Sequence, residues 1–268
     1  MSTINFYENA QLNNIKKWEN EEPSVVSQAI GFVTKPVSWL ANKIVPQKAI
    51  QGALVGFNSV AKALTDENDI LRDAKVSSIH ELKTKDLQVS DKLADNIHNW
   101  AIGIAGTEGG VAGFFGLPGM VADIPTIITF ALRTIHKIGL CYGYKATTQE
   151  DNLFVYSVMS AAGSNSVKEK NMAIATLRQL NVILLKNTWK KMAEKAAQEK
   201  MSGEAFIIAI KALAKQLGIN LTKRKALQAI PIAGAGVGSA MNIAFINDIC
   251  WAARRSYQKR WLMDNGKI

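Results

Sequence analysis

The sequence predicts an all-α protein, and three observations carry that prediction. Apolar residues recur at helical intervals along most of the chain. Alternating β-branched runs closed by tight hairpin dipeptides are scarce. Capping pairs of the S/T-x-x-E kind punctuate the polar stretches. No repeat of fixed period and no long linker divides the chain, so one multi-helix domain over residues 1–268 is expected. Within it, 1–90 hold N-terminal helices and a polar loop, 91–145 a glycine-rich helical hairpin, and 146–268 basic helices that include a second glycine-rich one.

Taken in order, residues 24–43 place Val25, Ile30, Val33, Val37 and Leu40 at helical spacing, and Pro36 should kink or split them. Pro46 opens a helix with Ile50, Leu54, Phe57, Val60 and Leu64 on one face. Residues 65–90 read as a loop with a short helix, where Ser78 and Glu81 have capping-box spacing. Ser90 is expected to cap the helix that carries Leu93, Ile97 and Trp100.

The first glycine-rich segment covers 101–144. Gly106 to Gly110 and Gly109 to Gly113 have GxxxG spacing, which sets small residues on one helical face where a second backbone can come close. Leu117-Pro118-Gly119 breaks the chain. Asp123 should then cap an apolar helix through Ile127, Phe130, Leu132 and Ile135, with Pro125 near its first turn.

Thr147 with Glu150 is expected as a further capping box, ahead of Leu153, Val155, Val158 and Met159. Residues 168–199 form a long amphipathic pattern with Ile174, Leu177, Leu180, Leu184 and Leu185, then turn Lys-rich. Ser202 should cap a helix stopped by Gly218, and Thr222 begins the last helical region. That region holds the second glycine-rich segment, 226–247, which has no charge for 22 residues and repeats the GxxxG spacing at Gly234 and Gly238.

Composition narrows the class. A chain of 268 residues can bury about 75% of its surface without disulfide or metal staples. Its 48% hydrophobic content and mean hydropathy of +0.02 are high for a soluble protein and too low for a multi-span one. Cys141 and Cys250 are far apart in sequence and fit buried free thiols in a reducing compartment. The opening MSTINFYENAQLNNIKKW lacks the apolar stretch of a signal peptide, so a cytoplasmic-side location is expected. Charge is uneven: residues 1–165 carry 14 Lys/Arg against 16 Asp/Glu, and residues 166–268 carry 18 against 6. Such asymmetry suggests a polyanionic partner or a solvated basic helix surface.

Three readings of the glycine-rich segments follow. They are buried core helices packed through glycine faces, segments embedded in a bilayer, or walls of an apolar pocket for a lipid-like ligand. Gln228, Pro231, Asn242 and Asn247 interrupt the second segment, and Glu108 and Asp123 interrupt the first. Lys223, Arg224 and Lys225 precede the second segment, and Arg254, Arg255, Lys259 and Arg260 follow it. Basic flanks of this kind attract anionic headgroups at about 1 kcal/mol per residue, which makes these seven residues the headgroup candidates.

No motif specifies a reaction. His80, His98 and His136 lie outside any HExxH pattern, and the cysteines lack partners at metal spacing, so neither metal nor cofactor is expected. The chain has no G-x-S-x-G, and AAGSNS around Ser164 reads as a helix end. Glu108 and Asp123 are weak catalytic candidates, because a carboxyl among apolar residues can have a raised pKa and transfer protons. The simpler account has Asp123 capping a helix and Glu108 pairing with a base such as Arg133. Trp189, Trp251, Tyr257 and Trp261 beside Lys and Arg suit base stacking or a membrane interface, and the neighbouring uncharged segment favours lipid over nucleic acid.

The stretch TEGGVAGFFGLPGMVADIPTIITFALRTIHKIGLCYGY resembles the central signature of the EcsC family. IPIAGAGVGSAMNIAFINDICWAARRSYQKRW resembles its C-terminal signature, and YENAQLNNIKKWE its N-terminal pattern. The resemblance implies a bacterial, membrane-associated helical protein whose founding gene is grouped with an ABC transporter affecting secretion. It transfers no catalytic residues. Glu108, Gly109, Gly113, Pro118, Gly119, Asp123, Pro125 and Arg133 are site candidates as parts of the motif. The expected function is that of a membrane-surface accessory protein that binds anionic lipid or a membrane partner such as an ABC transporter. A hydrolase-like enzyme on lipid or peptide using Glu108 or Asp123, or a membrane-inserting toxin-like protein, are the alternatives.

Overall fold

The computed structural model describes residues 3–23, 47–107, 124–164, 166–193 and 234–268. Among them every regular element is helical, so the all-α prediction holds. The α-helices are α1 (Phe6–Asn20), α2 (Gln47–Ala63), α3 (Asn68–Ala74), α4 (Leu87–Gly106), α5 (Ile124–Cys141), α6 (Gln149–Ala162), α7 (Val167–Ala193) and α8 (Gly234–Asp264). A 3-10 helix, Ile79–Thr84, lies between α3 and α4. Glu108, Gly109, Gly110, Gly113, Pro118, Gly119, Asp123, Lys223, Arg224 and Lys225 lie outside the described residues, as do Pro36, Ser202 and Gly218.

Helix α5 is the axis of the fold. Ile128, Phe130, Leu132, Ile135, Ile138 and Cys141 are all excluded from water. It packs against α2, α4, α6 and α8. Each such side chain contributes about 1.5–3 kcal/mol on burial. The core reading therefore holds for this arm of the first glycine-rich segment, and Pro125 sits in its first turn. Helix α8 is the second axis and touches α1, α4, α5, α6 and α7. Phe245 and Ile246, at the end of the second glycine-rich segment, are buried within that packing.

Turn chemistry sets the ends. At the C-terminus of α5, Tyr144 N–H donates to Gly139 C=O at 2.9 Å and Gly143 N–H to Leu140 C=O at 2.9 Å. That is a Schellman closure, which needs a left-handed residue, and Gly143 supplies it at φ +85. A Cβ there would lie 2.6 Å from the Lys83 backbone nitrogen, so only glycine fits.

The Ser78–Glu81 capping box forms as expected. Two cap expectations are corrected. The box before α6 is Thr148 with Asp151, one residue later than Thr147 with Glu150, because Asp151 is the carboxylate that Arg260 holds in place. Ser90 is buried inside α4, which starts at Leu87 after Asp86.

Both cysteines are free and buried. No helix among the described residues is long and apolar enough to cross a membrane.

Candidate functional site

Helix α1 lies along α8, and their seam holds a network of polar contacts. Asn5 caps α1, and its side-chain exchange with Glu8 fixes where the helix starts. Only Glu8 and Ile15 of α1 are fully buried, so hydrophobic contact alone does not dock it. Polar contacts do. Glu19 pairs with Lys259 at 2.6 Å and with Arg178 at 2.7 Å, and Glu8 with Lys267 at 3.2 Å. Burial pushes the Glu19 carboxyl up, but Lys259 and Arg178 outweigh it and hold the group below its ordinary range.

The centre of the seam is Asp91 of α4, 3% exposed. Its two oxygens accept from Tyr7 at 2.6 Å, Tyr142 at 2.5 Å and Gln258 Nε2 at 2.7 Å. One carboxylate thus ties α1, the end of α5 and α8 together. Burial and the adjacent Asp91 push the phenols of Tyr7 and Tyr142 well above their usual value, so both remain donors.

The C-terminal cations are part of the same network. Arg254 meets Asp95 at 2.5 Å, and Arg260 meets Asp151 at 3.1 Å. Arg255 donates to Gln11 and Gln258 and lies over the Trp251 ring. Three of the four headgroup candidates that follow the second glycine-rich segment, Arg254, Lys259 and Arg260, thus make ion pairs within the fold. Arg254 and Arg260 are buried, Lys259 is half-buried, and each is paired with a carboxylate from the N-terminal 165 residues. The charge asymmetry of the sequence is therefore partly an internal complementarity.

Beside the network, α1, the α6–α7 junction and α8 enclose a cleft of about 370 Å³. Lys17 and Trp18 line it from α1, Lys170 from α7, and Asp248, Trp251 and Arg255 from α8. Lys170 is buried and donates to the last-turn carbonyls of α1, Trp18 O at 2.5 Å and Glu21 O at 2.8 Å. A cation here suits the negative end of the helix dipole. Burial lowers the Lys170 pKa against the pull of Glu21, Asp248 and Glu19. His98 is bonded to Asn247 at 3.0 Å and stands edge-on to Trp251 at 5.3 Å.

The other predicted residues are scattered. Gly106 ends α4 against Ile243 of α8, so a glycine does mark that crossing, although its GxxxG partner lies outside the described residues. Gly234 and Gly238 fall in the first turns of α8. Arg133 is buried with its guanidinium over Trp100 at 5.2 Å. His136 bonds Asn58 at 2.7 Å, and Asn58 donates to Asn152 at 3.0 Å. The two predicted acids, Glu108 and Asp123, lie outside the described residues.

Sequence reasoning passed over Asp91, Tyr7, Trp18, Lys170 and Asp248. A signal for Asp91 existed. Leu87, Asp91, Ala94, His98, Ala101 and Ala105 form one buried helical stripe, and a carboxylate on such a stripe must be satisfied from elsewhere in the fold. Lys170 and Asp248 carried no comparable signal, because each sits on a helix rich in polar residues.

These features define a helical protein in which an acidic N-terminal half clasps a basic C-terminal helix around a polar cleft. The chain belongs to the EcsC protein family, whose model matches residues 9–262. It is similar to YdbA of Bacillus subtilis (strain 168), a protein described as uncharacterized, at 24% identity over 276 residues, covering 96% of this chain and 93% of that protein. No solved structure matches it.

Proposed function

We propose that this protein is a peripheral accessory protein of membrane surfaces, held to anionic lipid by electrostatic attraction and acting beside a membrane partner such as an ABC transporter. One observation supports the reading. Arg254, Lys259 and Arg260 of α8 are paired with carboxylates inside the fold, so they do not account for the protein's excess charge. That excess is concentrated in residues 186–225, which carry ten Lys/Arg against three Asp/Glu, or +7 of the chain's +10. An anionic surface attracts such residues at about 1 kcal/mol each. Attachment of this kind needs no spanning helix, and the helical body stays folded.

Co-sedimentation with vesicles tests it. The protein should pellet with anionic phosphatidylglycerol vesicles, stay in solution with phosphatidylcholine alone, and be released by salt. Replacing Lys186, Lys190, Lys191 and Lys195 by Gln should weaken binding and flatten the salt dependence. Equal recovery with both vesicle types would overturn the electrostatic reading.

A further inference from the structure

Helix α1 covers cations from two other helices. Its Glu19 pairs with Lys259 of α8 at 2.6 Å and with Arg178 of α7 at 2.7 Å. Glu8 pairs at 3.2 Å with Lys267, which follows the end of α8. Gln11 accepts from Arg255 Nη1 at 3.0 Å. Lys170 of α7 donates to the carbonyls of Trp18 and Glu21 at the C-terminal end of α1. Five basic side chains therefore meet α1, and two carboxylates, an amide oxygen and two backbone carbonyls answer them.

This contact is of an exchangeable kind. Only Glu8 and Ile15 of α1 are fully buried. Salt and competing anions weaken charged contacts of this sort, whereas apolar burial is insensitive to them. The rest of the fold stays satisfied without α1. Asp91 loses Tyr7 but keeps Tyr142 and Gln258 as donors. Arg254 and Arg260 pair with Asp95 of α4 and Asp151 of α6, not with α1.

The covered cations are spread out. Lys170 and Arg178 stand eight residues apart on α7, about 12 Å, and Arg255 and Lys259 add a second row on α8. One small anion cannot reach both rows, but a layer of anionic headgroups can.

We propose that α1 is a displaceable strap over a second lipid-binding face, made of Lys170, Arg178, Arg255, Lys259 and Lys267, and that an anionic membrane surface displaces it. This regulation rests on the membrane reading above: residues 186–225 make the first attachment, and release of α1 strengthens it.

Hydrogen exchange of the full chain tests the release. A free helix of 15 residues is marginal in water. On saturating phosphatidylglycerol vesicles the amides of α1 should therefore exchange about tenfold or more faster than in solution, while those of α5 stay protected. Glu8→Gln with Glu19→Gln, which loosens the strap and keeps an acceptor for the α1 cap, should tighten binding to these vesicles about tenfold. Adding Arg178→Gln, Lys259→Gln and Lys267→Gln should cancel that gain. Asp66→Asn with Asp73→Asn makes the same charge change at exposed positions outside the strap and should gain far less. A gain equal to this control, no gain, or α1 amides that stay protected on the vesicles would overturn the proposal. If the Glu variant unfolds, seen as fast exchange in α5 as well, the wild-type exchange decides alone. A gain toward soluble polyglutamate without one toward vesicles would put an acidic protein on the face and overturn the lipid assignment. The membrane reading fails separately, when the wild type does not distinguish anionic from phosphatidylcholine vesicles. The strap alone fails when the wild type does so with α1 still protected.

Discussion

Arg260 and Asp151 meet at 3.1 Å with both side chains at most a tenth exposed, joining the last turns of α8 to the first turn of α6. Asp151 also accepts from Thr148 N–H and Oγ1 as the acidic half of the α6 capping box. Burial pushes its carboxyl up, and Arg260 with the Thr148 donors brings it below the ordinary range. Arg260 completes its surroundings by stacking over Tyr144 at 4.2 Å. The same carboxylate therefore caps one helix and neutralises another.

Breaking that pair from one side leaves a buried charge. Arg260→Met should cost about 3–5 kcal/mol. Adding Asp151→Asn should recover much of the loss, because an amide oxygen still accepts the cap hydrogen bonds without a charge. Urea unfolding of the two variants checks this. Equal midpoints for the single and double variants would show that the pair is not coupled.

The His136 imidazole gives the fold an acid-sensitive element. Burial, with help from Lys62, lowers its pKa from 6.5 to about 4. Its Nε2 donates to Asn58 in the neutral form. Between these two values the unfolded chain takes up a proton that the folded chain refuses. Stability present at neutral pH is then lost as pH falls from about 6.5 towards 4, by about 3 kcal/mol from this group. His136→Gln keeps a polar partner for Asn58 and removes the titration. Its unfolding free energy should fall less steeply over that window than the wild type's, and parallel slopes would remove His136 as the cause.

The helical class, α5 and the core positions of α7 were legible because they rest on local periodicity. Phe130, Leu132 and Ile135 on α5, and Ile174, Leu177 and Leu180 on α7, are buried as spaced. The roles of Arg254 and Arg260 were not legible. Their partners Asp95 and Asp151 lie more than a hundred residues away, and local sequence makes a paired cation indistinguishable from a solvated one. The same reason explains the one-residue shift of the α6 cap, since the choice of Asp151 over Glu150 depends on a helix not yet in view. The cleft is legible only once α1 and α8 are brought together.

Docking of α1 through Glu19 is a separate prediction. This carboxylate is held by both Lys259 and Arg178. Glu19→Gln should remove about 1.5–3 kcal/mol of charge-assisted bonding. The loss should be local, because α1 buries little apolar surface. Hydrogen exchange in α1 should speed up about tenfold or more while the amides of α5 stay protected. Uniform acceleration across both helices would mean that α1 unfolds only with the whole domain.

Two glycines separate close helix approach from helix propensity. A Cβ on Gly139 would fall 2.7 Å from Tyr257 Cζ and 2.8 Å from its hydroxyl oxygen. Tyr257 is 2% exposed and packs against Tyr142, Tyr144 and Phe154, so the ring has little room to retreat. Gly139→Ala should therefore destabilise by about 1–3 kcal/mol despite the better helix former. Gly103 lies inside α4 with nothing within 4 Å of its added Cβ. Gly103→Ala should stabilise by about 0.5–1 kcal/mol, the propensity gain alone. Thermal melts of the two variants should shift in opposite directions. A rise in both would mean that α5 and α8 can slide apart at Gly139, and that the spacing of these two central helices is not fixed by the absence of a side chain there.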